Sequence, residues 1–356
     1  MSLSIGIIGL PNVGKSTLFN ALLKKQKALV ANYPFATIEP NVGVVPVPNE
    51  RLAALVKMYD PPSVVPATVS FVDIAGLVKG ASQGAGLGNK FLAHIREVDA
   101  LVHVLRAFDD DEIVREGSVN PDSDEQVVST ELILADIQSL QNQAERLQRQ
   151  AKGGDKDAYK KLSIADRVMT ALNKGVWVLE MMTDITEDEQ LLLKDFHFLT
   201  SKPLIRVYNV LENELNVADK DYYAKGVVLC AKVEAELAEF SQEERKQYLS
   251  DLGIHATGLD KVIKRAYEAL NLHTFFTAGK KEVRAWTIKV GTKAPQAAGV
   301  IHSDFERGFI AAETTSYKDL MSAGSLAAAK AAGLVRSEGK NYTMHDGDVV
   351  EFRFSV

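Results

Sequence analysis

Apolar runs that suit buried strands alternate with helix-forming segments through the first part of the chain. The predicted strands are Ser4–Leu10, Ala67–Gly76, Ala100–Phe108, Pro203–Val210 and Gly226–Val233, and a helix is predicted from Lys15 to about Lys25. Parallel strands that are buried on both faces form continuous hydrophobic runs, and their crossover connections are usually helices. The pattern therefore predicts an α/β fold with a mostly parallel sheet that is covered on both faces.

One segment of the chain has a heptad-like spacing instead. Its first apolar series is Ile133, Ile137, Leu140, Ala144, Leu147 and Ala151, and its second is Ala158, Leu162, Ala165, Met169, Leu172 and Val176. These spacings are typical of a coiled-coil seam, and the pair Gly153-Gly154 permits a reversal between the two series. We therefore expect an inserted antiparallel helical coiled-coil arm at about residues 126–200. The alternative is two amphipathic helices packed on the core, but the polar flanking faces favour the arm.

The C-terminal part differs from the rest in pattern and in charge. Residues 271–356 combine short strand-like runs with glycine-rich turns, which predicts a small β-grasp-like domain after a larger domain at residues 1–270. The smaller domain carries 11 Lys+Arg against 9 Asp+Glu, whereas the remainder carries 30 against 38. A mildly basic module suits contact with RNA, although an ordinary solvated surface explains this charge equally well.

Composition places the chain among ordinary globular proteins. Its 356 residues exceed one typical core, its hydrophobic and charged fractions are 46% and 25%, and its net charge is −6. No apolar run approaches the roughly 18 residues of a membrane span, and MSLSIGIIGL lacks the features of a signal peptide. The single cysteine, Cys230, agrees with a reducing compartment. We expect a cytoplasmic protein that binds neither membranes nor DNA.

The segment Gly9–Ser16, GLPNVGKS, matches the phosphate-binding loop pattern G-x-x-x-x-G-K-[S/T] between a predicted strand and a predicted helix. The glycines let backbone N–H groups turn towards phosphate oxygens. Lys15 supplies a positive charge for the β- and γ-phosphates, Ser16 offers a hydroxyl to Mg²⁺, and the helix N-terminus adds its dipole. This combination predicts a nucleotide-binding site.

Two further segments follow in the order that a nucleotide-dependent switch requires. Thr37, in NYPFATIEP, is suited to complete the Mg²⁺ shell when a γ-phosphate is present. In VDIAG, Asp73 is predicted to contact Mg²⁺ through water, and the N–H of Gly76 is predicted to meet the γ-phosphate. We therefore predict Ser16, Thr37 and Asp73 as the metal-binding residues.

The residues that would activate water are less conventional. Leu77 stands where Ras-like GTPases carry a glutamine that orients the attacking water, so hydrolysis is expected to be slow. Asn12 is a candidate to hold K⁺ beside the phosphates, and the alternative is that Asn12 is a turn residue. The candidate catalytic residues are Lys15, Asn12 and Gly76.

The segment Asn209–Glu212, NVLE, follows a predicted strand where a GTP-binding protein carries Asn-Lys-x-Asp. Val210 replaces the lysine and Glu212 replaces the aspartate that accepts hydrogen bonds from guanine, and the sequence contains no intact tetrad. Loss of such a contact costs on the order of 1–3 kcal/mol by analogy with base recognition elsewhere. NVLE is either an altered base-recognition segment or simply the end of a strand, and its order among the motifs favours the first interpretation.

The series GLPNVGKST, NYPFATIEPN, FVDIAGLVKGAS, NVLE and LCAKVEAE resembles the Obg-like ATPases of YchF type. In the tail, FFTAGKKEVRAW and APQAAGVIHSDFERGFIAAE are similar to that family's TGS domain, so the resemblance covers essentially the whole chain. It implies a P-loop G domain with a coiled-coil insertion, followed by a TGS domain. It also implies Mg²⁺-dependent hydrolysis of ATP in preference to GTP, and a role with ribosomes in translation or stress responses.

The resemblance also implies a set of site residues. The expected nucleotide-binding residues are Asn12, Val13, Gly14, Lys15, Ser16, Thr17, Phe108, Asn209, Val210 and Ala231. Asn209 and Val210 would meet the adenine, Val210 largely through its backbone, and Phe108 would pack near the base unless it is an ordinary core aromatic. Two positions depart from the family pattern: Arg115 stands near an expected histidine, and Val300 replaces a lysine.

Three functional hypotheses follow. The first is a slow, switch-like ATPase that docks on the ribosome, on the large subunit or the 70S particle, with rRNA contacts and as a monomer. The second is a GTP-specific Obg-type GTPase of ribosome assembly, which the altered NVLE segment disfavours. The third is a nucleotide-regulated RNA or protein adaptor with vestigial hydrolysis, which Leu77 leaves open. Nucleotide preference separates the first two hypotheses, and acceleration of turnover by ribosomes separates the first from the third.

Overall fold

A computed structural model describes residues 3–32, 41–74, 86–110, 119–215, 220–251, 253–254 and 256–355. Thr37, Gly76, Leu77 and Arg115 lie outside the described residues. The chain divides into two compact units. The first comprises Met1–Val44 and Ser70–Val262, and the second comprises Val45–Val69 and Ile263–Val356.

The described residues form two sheets with helices between their strands. The strands are β1 (Ser4–Ile8), β2 (Val42–Pro46), β3 (Ser63–Val65), β4 (Thr68–Asp73), β5 (Ala100–Arg106), β6 (Leu204–Asn209), β7 (Val227–Leu229), β8 (Leu272–Ala278), β9 (Glu282–Lys289), β10 (Phe309–Ser316), β11 (Arg336–Glu338) and β12 (Asp348–Phe354). The helices are α1 (Lys15–Asn32), α2 (Glu50–Tyr59), α3 (Gly86–Glu97), α4 (Pro121–Lys152), α5 (Lys156–Asn173), α6 (Val178–Met181), α7 (Glu187–Leu193), α8 (Lys220–Lys225), α9 (Ala231–Leu237), α10 (Gln242–Asp251), α11 (Gly258–Ala269), α12 (Ala294–Ile301), α13 (Ser303–Arg307), α14 (Tyr317–Ala323) and α15 (Leu326–Ala331).

The first sheet has the strand order β2-β4-β1-β5-β6-β7, and its pairings from β4 through β7 are parallel. This arrangement confirms the predicted α/β fold with a mostly parallel sheet. Every residue of the central strand β5 is buried, as its continuous apolar sequence predicts. Burial lowers the pKa of His103 in this strand to about 4, so its imidazole is neutral near pH 7.

A helical insertion separates β5 from β6. Asn120 caps the start of α4 by accepting a hydrogen bond from the N–H of Ser123 at 3.1 Å, so the insertion begins a few residues before the predicted position. Helices α4 and α5 pack against each other across the turn at Gly153 and Gly154. The predicted helical hairpin is therefore present.

The two halves of this hairpin differ in burial. Leu132 and Leu140 of α4 and Val168 of α5 belong to the same apolar core as Leu101 of β5. Beyond Leu140, α4 has no fully buried side chain. The near half is thus packed on the core, as in the alternative interpretation, while the far half carries the polar, exposed faces expected of an arm.

A buried carboxylate fixes the near half of α4. Asp136 accepts hydrogen bonds from the backbone N–H groups of Leu199 and Thr200, both at 2.9 Å, and from the Thr200 hydroxyl at 2.8 Å. Burial raises the pKa of Asp136, and these three donors oppose that shift. The contact joins α4 to the segment that leads into β6.

The second unit is built on a mixed sheet with the order β11-β10-β12-β8-β9-β3. Strand β12 pairs in parallel with β8, whereas β8 and β9, β10 and β12, and β10 and β11 are antiparallel pairs. Phe275 of β8 and Ala297 of α12 lie in the core of this unit. A mixed sheet with short helices agrees with the predicted β-grasp-like architecture.

The boundary between the units differs from the predicted one. Residues 45–69 were expected in the first domain, but they belong to the second unit, where β3 pairs in parallel with β9 through Ser63 and Glu282. In addition, Arg51 of α2 forms an ion pair with Asp346 at 2.7 Å. These partners are more than 200 residues away in sequence, so no local pattern could have revealed the assignment.

Candidate nucleotide-binding site

The phosphate-binding loop connects β1 to α1, and its conformation depends on two glycines. A Cβ atom at Gly9 would lie 2.7 Å from the carbonyl oxygen of Val104, so only glycine permits this close approach to β5. Gly14 has a φ of +95°, and a Cβ atom there would collide with the side chain of Asn209. Asn12 has a φ of 61°, in the left-handed region that asparagine tolerates. The sequence motif therefore forms the turn that the phosphate-binding chemistry requires.

Lys15 and Asp73 meet at the carboxyl edge of the sheet. Asp73 ends β4, which lies beside β1, and its Oδ1 atom forms an ion pair with Nζ of Lys15. The two side chains are only 11% and 21% exposed, so water screens their interaction weakly. The pair places one positive and one negative charge at the start of α1, where phosphates and a cation would be bound together.

The oxygen donors near this ion pair suit Mg²⁺. Ser16 is exposed in the first turn of α1, and Asp73 supplies a carboxylate beside Lys15. Mg²⁺ at a nucleotide is usually held by one or two protein oxygens, together with phosphate oxygens and water. The described residues form no group of three or more His, Cys, Asp and Glu side chains that could hold a metal independently. This donor set fits a cation that binds together with a nucleotide.

Asn209 connects the phosphate-binding loop to the far side of the site. Its side-chain Nδ2 donates to the carbonyl oxygen of Val13 at 2.9 Å, and its Oδ1 accepts from the N–H of Ala231 at 2.8 Å. The side chain is buried at 5% exposure, so both bonds are shielded from water. The predicted base-contacting residue thus positions two other predicted site residues, Val13 and Ala231.

The backbone of the neighbouring Val210 is partly used by the sheet. Its backbone N–H donates to the carbonyl oxygen of Leu229 at 2.9 Å, which extends the pairing of β6 with β7. This N–H is therefore already used in the sheet, and a role for the Val210 backbone in base binding would have to come from its carbonyl group. NVLE is at once the end of a strand and part of the cavity wall.

A cavity of about 840 Å³ extends from the phosphate-binding loop to the NVLE segment. Its lining residues are Asn12, Gly14, Thr17, Phe108, Asp110, Asn209, Val210, Leu211, Glu212, Asn213, Cys230, Ala231 and Lys232. The volume is in the range of small-molecule and cofactor sites. The cavity thus joins Asn12, Gly14 and Thr17 with the predicted residues Phe108, Asn209, Val210 and Ala231, whereas Val13, Lys15 and Ser16 are not among its lining residues.

Phe108 is held in the cavity wall by Arg106, whose role the sequence did not indicate. The Arg106 guanidinium lies 4.6 Å from the centre of the Phe108 ring, and its Nε donates to the Phe108 carbonyl oxygen at 3.1 Å. Another guanidinium nitrogen donates to the carbonyl oxygen of Asp110 at 3.2 Å. Arg106 is only 2% exposed. It therefore acts as a rigid support for the loop that follows β5.

Two carboxylates in or near the cavity wall accept hydrogen bonds from distant segments. Tyr248 of α10 donates a hydrogen bond from its hydroxyl to Oε1 of Glu212 at 2.6 Å, which raises the pKa of Tyr248 to about 12. Within α9, Glu234 accepts a hydrogen bond from the N–H of Gly258 at 2.6 Å, and burial raises the pKa of Glu234 to about 7. The sequence spacing gave no signal for either contact, because both join segments that are more than 20 residues apart.

Comparison with known proteins agrees with this geometry. A family model described as a 50S ribosome-binding GTPase matches residues 4–130, and a YchF GTPase C-terminal model, described as a protein of unknown function, matches residues 272–355. The chain is 51% identical to a ribosome-binding ATPase YchF from Bacillus subtilis, with 100% of both chains covered. It is 44% identical to Obg-like ATPase 1 from Gallus gallus, covering 100% of this chain and 93% of the relative.

The solved structures give the same result. The YchF GTPase of Schizosaccharomyces pombe superimposes with a TM-score of 0.90 at 38% identity, covering 99% of this chain and 98% of the other. A GTP-binding protein from Pyrococcus horikoshii superimposes with a TM-score of 0.58 at 19% identity, which supports the fold alone. Full-length identity of this degree, with both units represented, establishes the relationship. The chain belongs to the YchF family of Obg-like ATPases.

Proposed function

We propose that this chain is a ribosome-binding ATPase that binds ATP in preference to GTP, hydrolyses it slowly, and acts as a nucleotide-dependent switch in translation or stress response. The observation that carries the proposal is the base-facing end of the cavity. The Asn209 amide is bonded to Val13 and Ala231, and one oxygen of the Glu212 carboxylate accepts a hydrogen bond from the Tyr248 hydroxyl. Relatives that match over the full length carry the name ribosome-binding ATPase.

The proposed chemistry starts from the charged residues at the loop. Lys15 and the N-terminus of α1 stabilise negative charge on the phosphates, while Ser16 and Thr37, with Asp73 through water, would hold Mg²⁺. Mg²⁺ held there would supply positive charge to the phosphates of a bound nucleotide. The N–H of Gly76 is proposed to meet the γ-phosphate, and Leu77 leaves the attacking water without a glutamine partner. Slow turnover is the expected consequence.

Nucleotide preference is the direct test of the proposal. Equilibrium titration of the full chain with fluorescent ATP, GTP and ADP analogues in the presence of Mg²⁺ is expected to give tighter binding of ATP than of GTP, by about tenfold or more. The reason is that a missing bidentate carboxylate contact costs guanine on the order of 1–3 kcal/mol. Tighter binding of GTP would instead support the Obg-type GTPase.

Turnover in the presence of ribosomes tests the switch-like enzyme against an adaptor with vestigial hydrolysis. ATP hydrolysis is expected to rise when purified 70S ribosomes or large subunits are added, because a switch enzyme completes its slow catalytic site on its partner. The chain is proposed to be a cytoplasmic monomer that contacts rRNA. No helix in the part of the chain that the structure covers has both the length and the apolar composition of a membrane span. Turnover that ribosomes leave unchanged would favour the adaptor.

The same assay addresses the role of Asn12 in binding K⁺. Turnover is expected to be faster in KCl than in NaCl, because a K⁺ ion beside the phosphates would add positive charge. Leu77 has no polar group that could stabilise the transition state in its place. Asn12→Gly is the suitable variant, since Asn12 has a φ of 61° and glycine keeps that conformation while it removes the amide. If K⁺ stimulation persists in this variant, Asn12 is only a turn residue.

A further inference from the structure

The fourth residue of NVLE is held by a partner from a distant helix. Glu212 begins a short 3₁₀ turn after β6 and lines the cavity. Its Oε1 atom accepts a hydrogen bond from the Tyr248 hydroxyl at 2.6 Å. Tyr248 itself is not among the residues that line the cavity, so its hydroxyl acts on a bound base through Glu212.

The Tyr248 hydroxyl is held in place by packing and by a backbone contact of its helix. Its ring meets Phe240 edge to face, with ring centres 5.6 Å apart, and packs against the apolar cluster that contains Val210 and Leu237. Arg245, one turn earlier in α10, donates from Nε to the carbonyl oxygen of Leu237 at 3.1 Å. Because α10 is joined to α9 in this way, Tyr248 presents its hydroxyl to Glu212 from a defined position.

Guanine and adenine make different demands on a carboxylate in this place. Guanine presents an N1–H and an amino group side by side, so its recognition needs both oxygens of one carboxylate in the plane of the base. Adenine presents no such pair of donors. A strong hydrogen bond from a tyrosine hydroxyl to one oxygen fixes the orientation of the carboxylate and withdraws charge from that oxygen. Both oxygens can still accept hydrogen bonds, but the carboxylate no longer turns freely to bring the two of them into the plane of guanine.

We propose that Tyr248 is a positioning residue for nucleotide selectivity, which holds the Glu212 carboxylate in an orientation that disfavours guanine. This inference rests on the proposed preference for ATP and assigns part of it to a residue outside the cavity. The glutamate contributes the carboxylate, and the tyrosine determines how that carboxylate is presented. Removal of the hydroxyl alone would let the Glu212 carboxylate turn and present both oxygens to guanine.

The test is the ratio of the dissociation constants for GTP and ATP in the full chain with Mg²⁺. In Tyr248→Phe, GTP affinity is expected to rise while ATP affinity changes little, so the ratio falls by about tenfold, as expected for one hydrogen bond to a charged group. Phe240→Leu is the matched control, because it loosens the packing of α10 but retains the hydroxyl. A structural role alone would lower both affinities together in both variants.

A double-mutant cycle with Glu212→Gln separates the two contributions. Once the carboxylate is replaced by an amide, the further change Tyr248→Phe should leave the ratio unchanged. Glu212→Asp supplies an independent check if Tyr248→Phe does not fold, because the shorter side chain draws the carboxylate away from the hydroxyl and should lower the ratio in the same direction. A ratio unchanged in folded Tyr248→Phe would overturn the proposal, and if that variant does not fold, a ratio unchanged in Glu212→Asp would overturn it.

The failure of this inference and that of the proposed function give different results. If the unmodified chain binds GTP more tightly than ATP, the proposed function fails whatever the variants do. If the unmodified chain prefers ATP but Tyr248→Phe keeps the same ratio, the proposed function stands and the role of Tyr248 is rejected. A lowered ratio in Tyr248→Phe that disappears in the Glu212→Gln background supports both.

Discussion

Lys15→Ala is expected to lower the affinity for ATP by about 100-fold or more. A lysine that contacts phosphates contributes a charge-assisted interaction of roughly 1.5–3 kcal/mol, and its loss also leaves Asp73 without its ion-pair partner. The uncompensated carboxylate would then repel the phosphates at the start of α1. Equilibrium titration with a fluorescent ATP analogue in the presence of Mg²⁺ measures the effect.

Lys264→Ala is the matched control for this variant. Lys264 is an exposed lysine of α11, so its replacement removes the same charge and the same side chain without affecting the cavity. ATP affinity in this control is expected to equal that of the unmodified chain. Undiminished ATP affinity in Lys15→Ala would remove the assignment of Gly9–Ser16 as the phosphate-binding loop.

Asn209→Ala is expected to weaken both the fold of the first unit and its affinity for nucleotides. The substitution leaves the carbonyl oxygen of Val13 and the N–H of Ala231 without their buried partner. Each such group costs about 1–3 kcal/mol, so the free energy of unfolding should fall by about 2–6 kcal/mol. ATP affinity should fall as well, because Asn209 joins Val13 of the phosphate-binding loop to Ala231 at the start of α9, and the substitution removes that link.

The measurement can be confined to the first unit by the placement of the two tryptophans. Trp177 lies in the core of the first unit and Trp286 in the second, so urea unfolding in a Trp286→Phe background follows the first unit through Trp177 alone. Asn213→Ala is the control, since Asn213 lines the same cavity but is exposed. Equal urea midpoints for the two variants would contradict the structural role of Asn209.

Sequence patterns predicted the structural features whose physical cause lies within one segment of the chain. The loop from Gly9 to Ser16 could be predicted because its chemistry needs glycine, lysine and a hydroxyl at fixed spacing within one turn. The strands of the first sheet could be predicted because burial on both faces requires continuous apolar runs, as β5 shows. The helical hairpin followed from apolar residues at intervals of three and four.

Contacts between distant segments needed the tertiary structure. The sequence placed Asn209 at the base, and the fold shows that both ends of its amide are bonded to Val13 and Ala231. In the sequence Arg106 is simply one residue of a predicted strand. Only the fold shows that its guanidinium lies over the ring of Phe108. In each case the partner depends on three-dimensional packing and could not be predicted from the spacing of residues along the chain.

By itself, the sequence determined that this is an α/β protein with a phosphate-binding loop, a helical insertion and a separate C-terminal unit, because each of these depends on spacing within one segment. Only the tertiary structure decided that residues 45–69 join the second unit and that Tyr248 holds Glu212. Strand pairing and side-chain hydrogen bonds depend on which surfaces the completed fold brings within about 3 Å of each other. That proximity is a property of the folded chain as a whole.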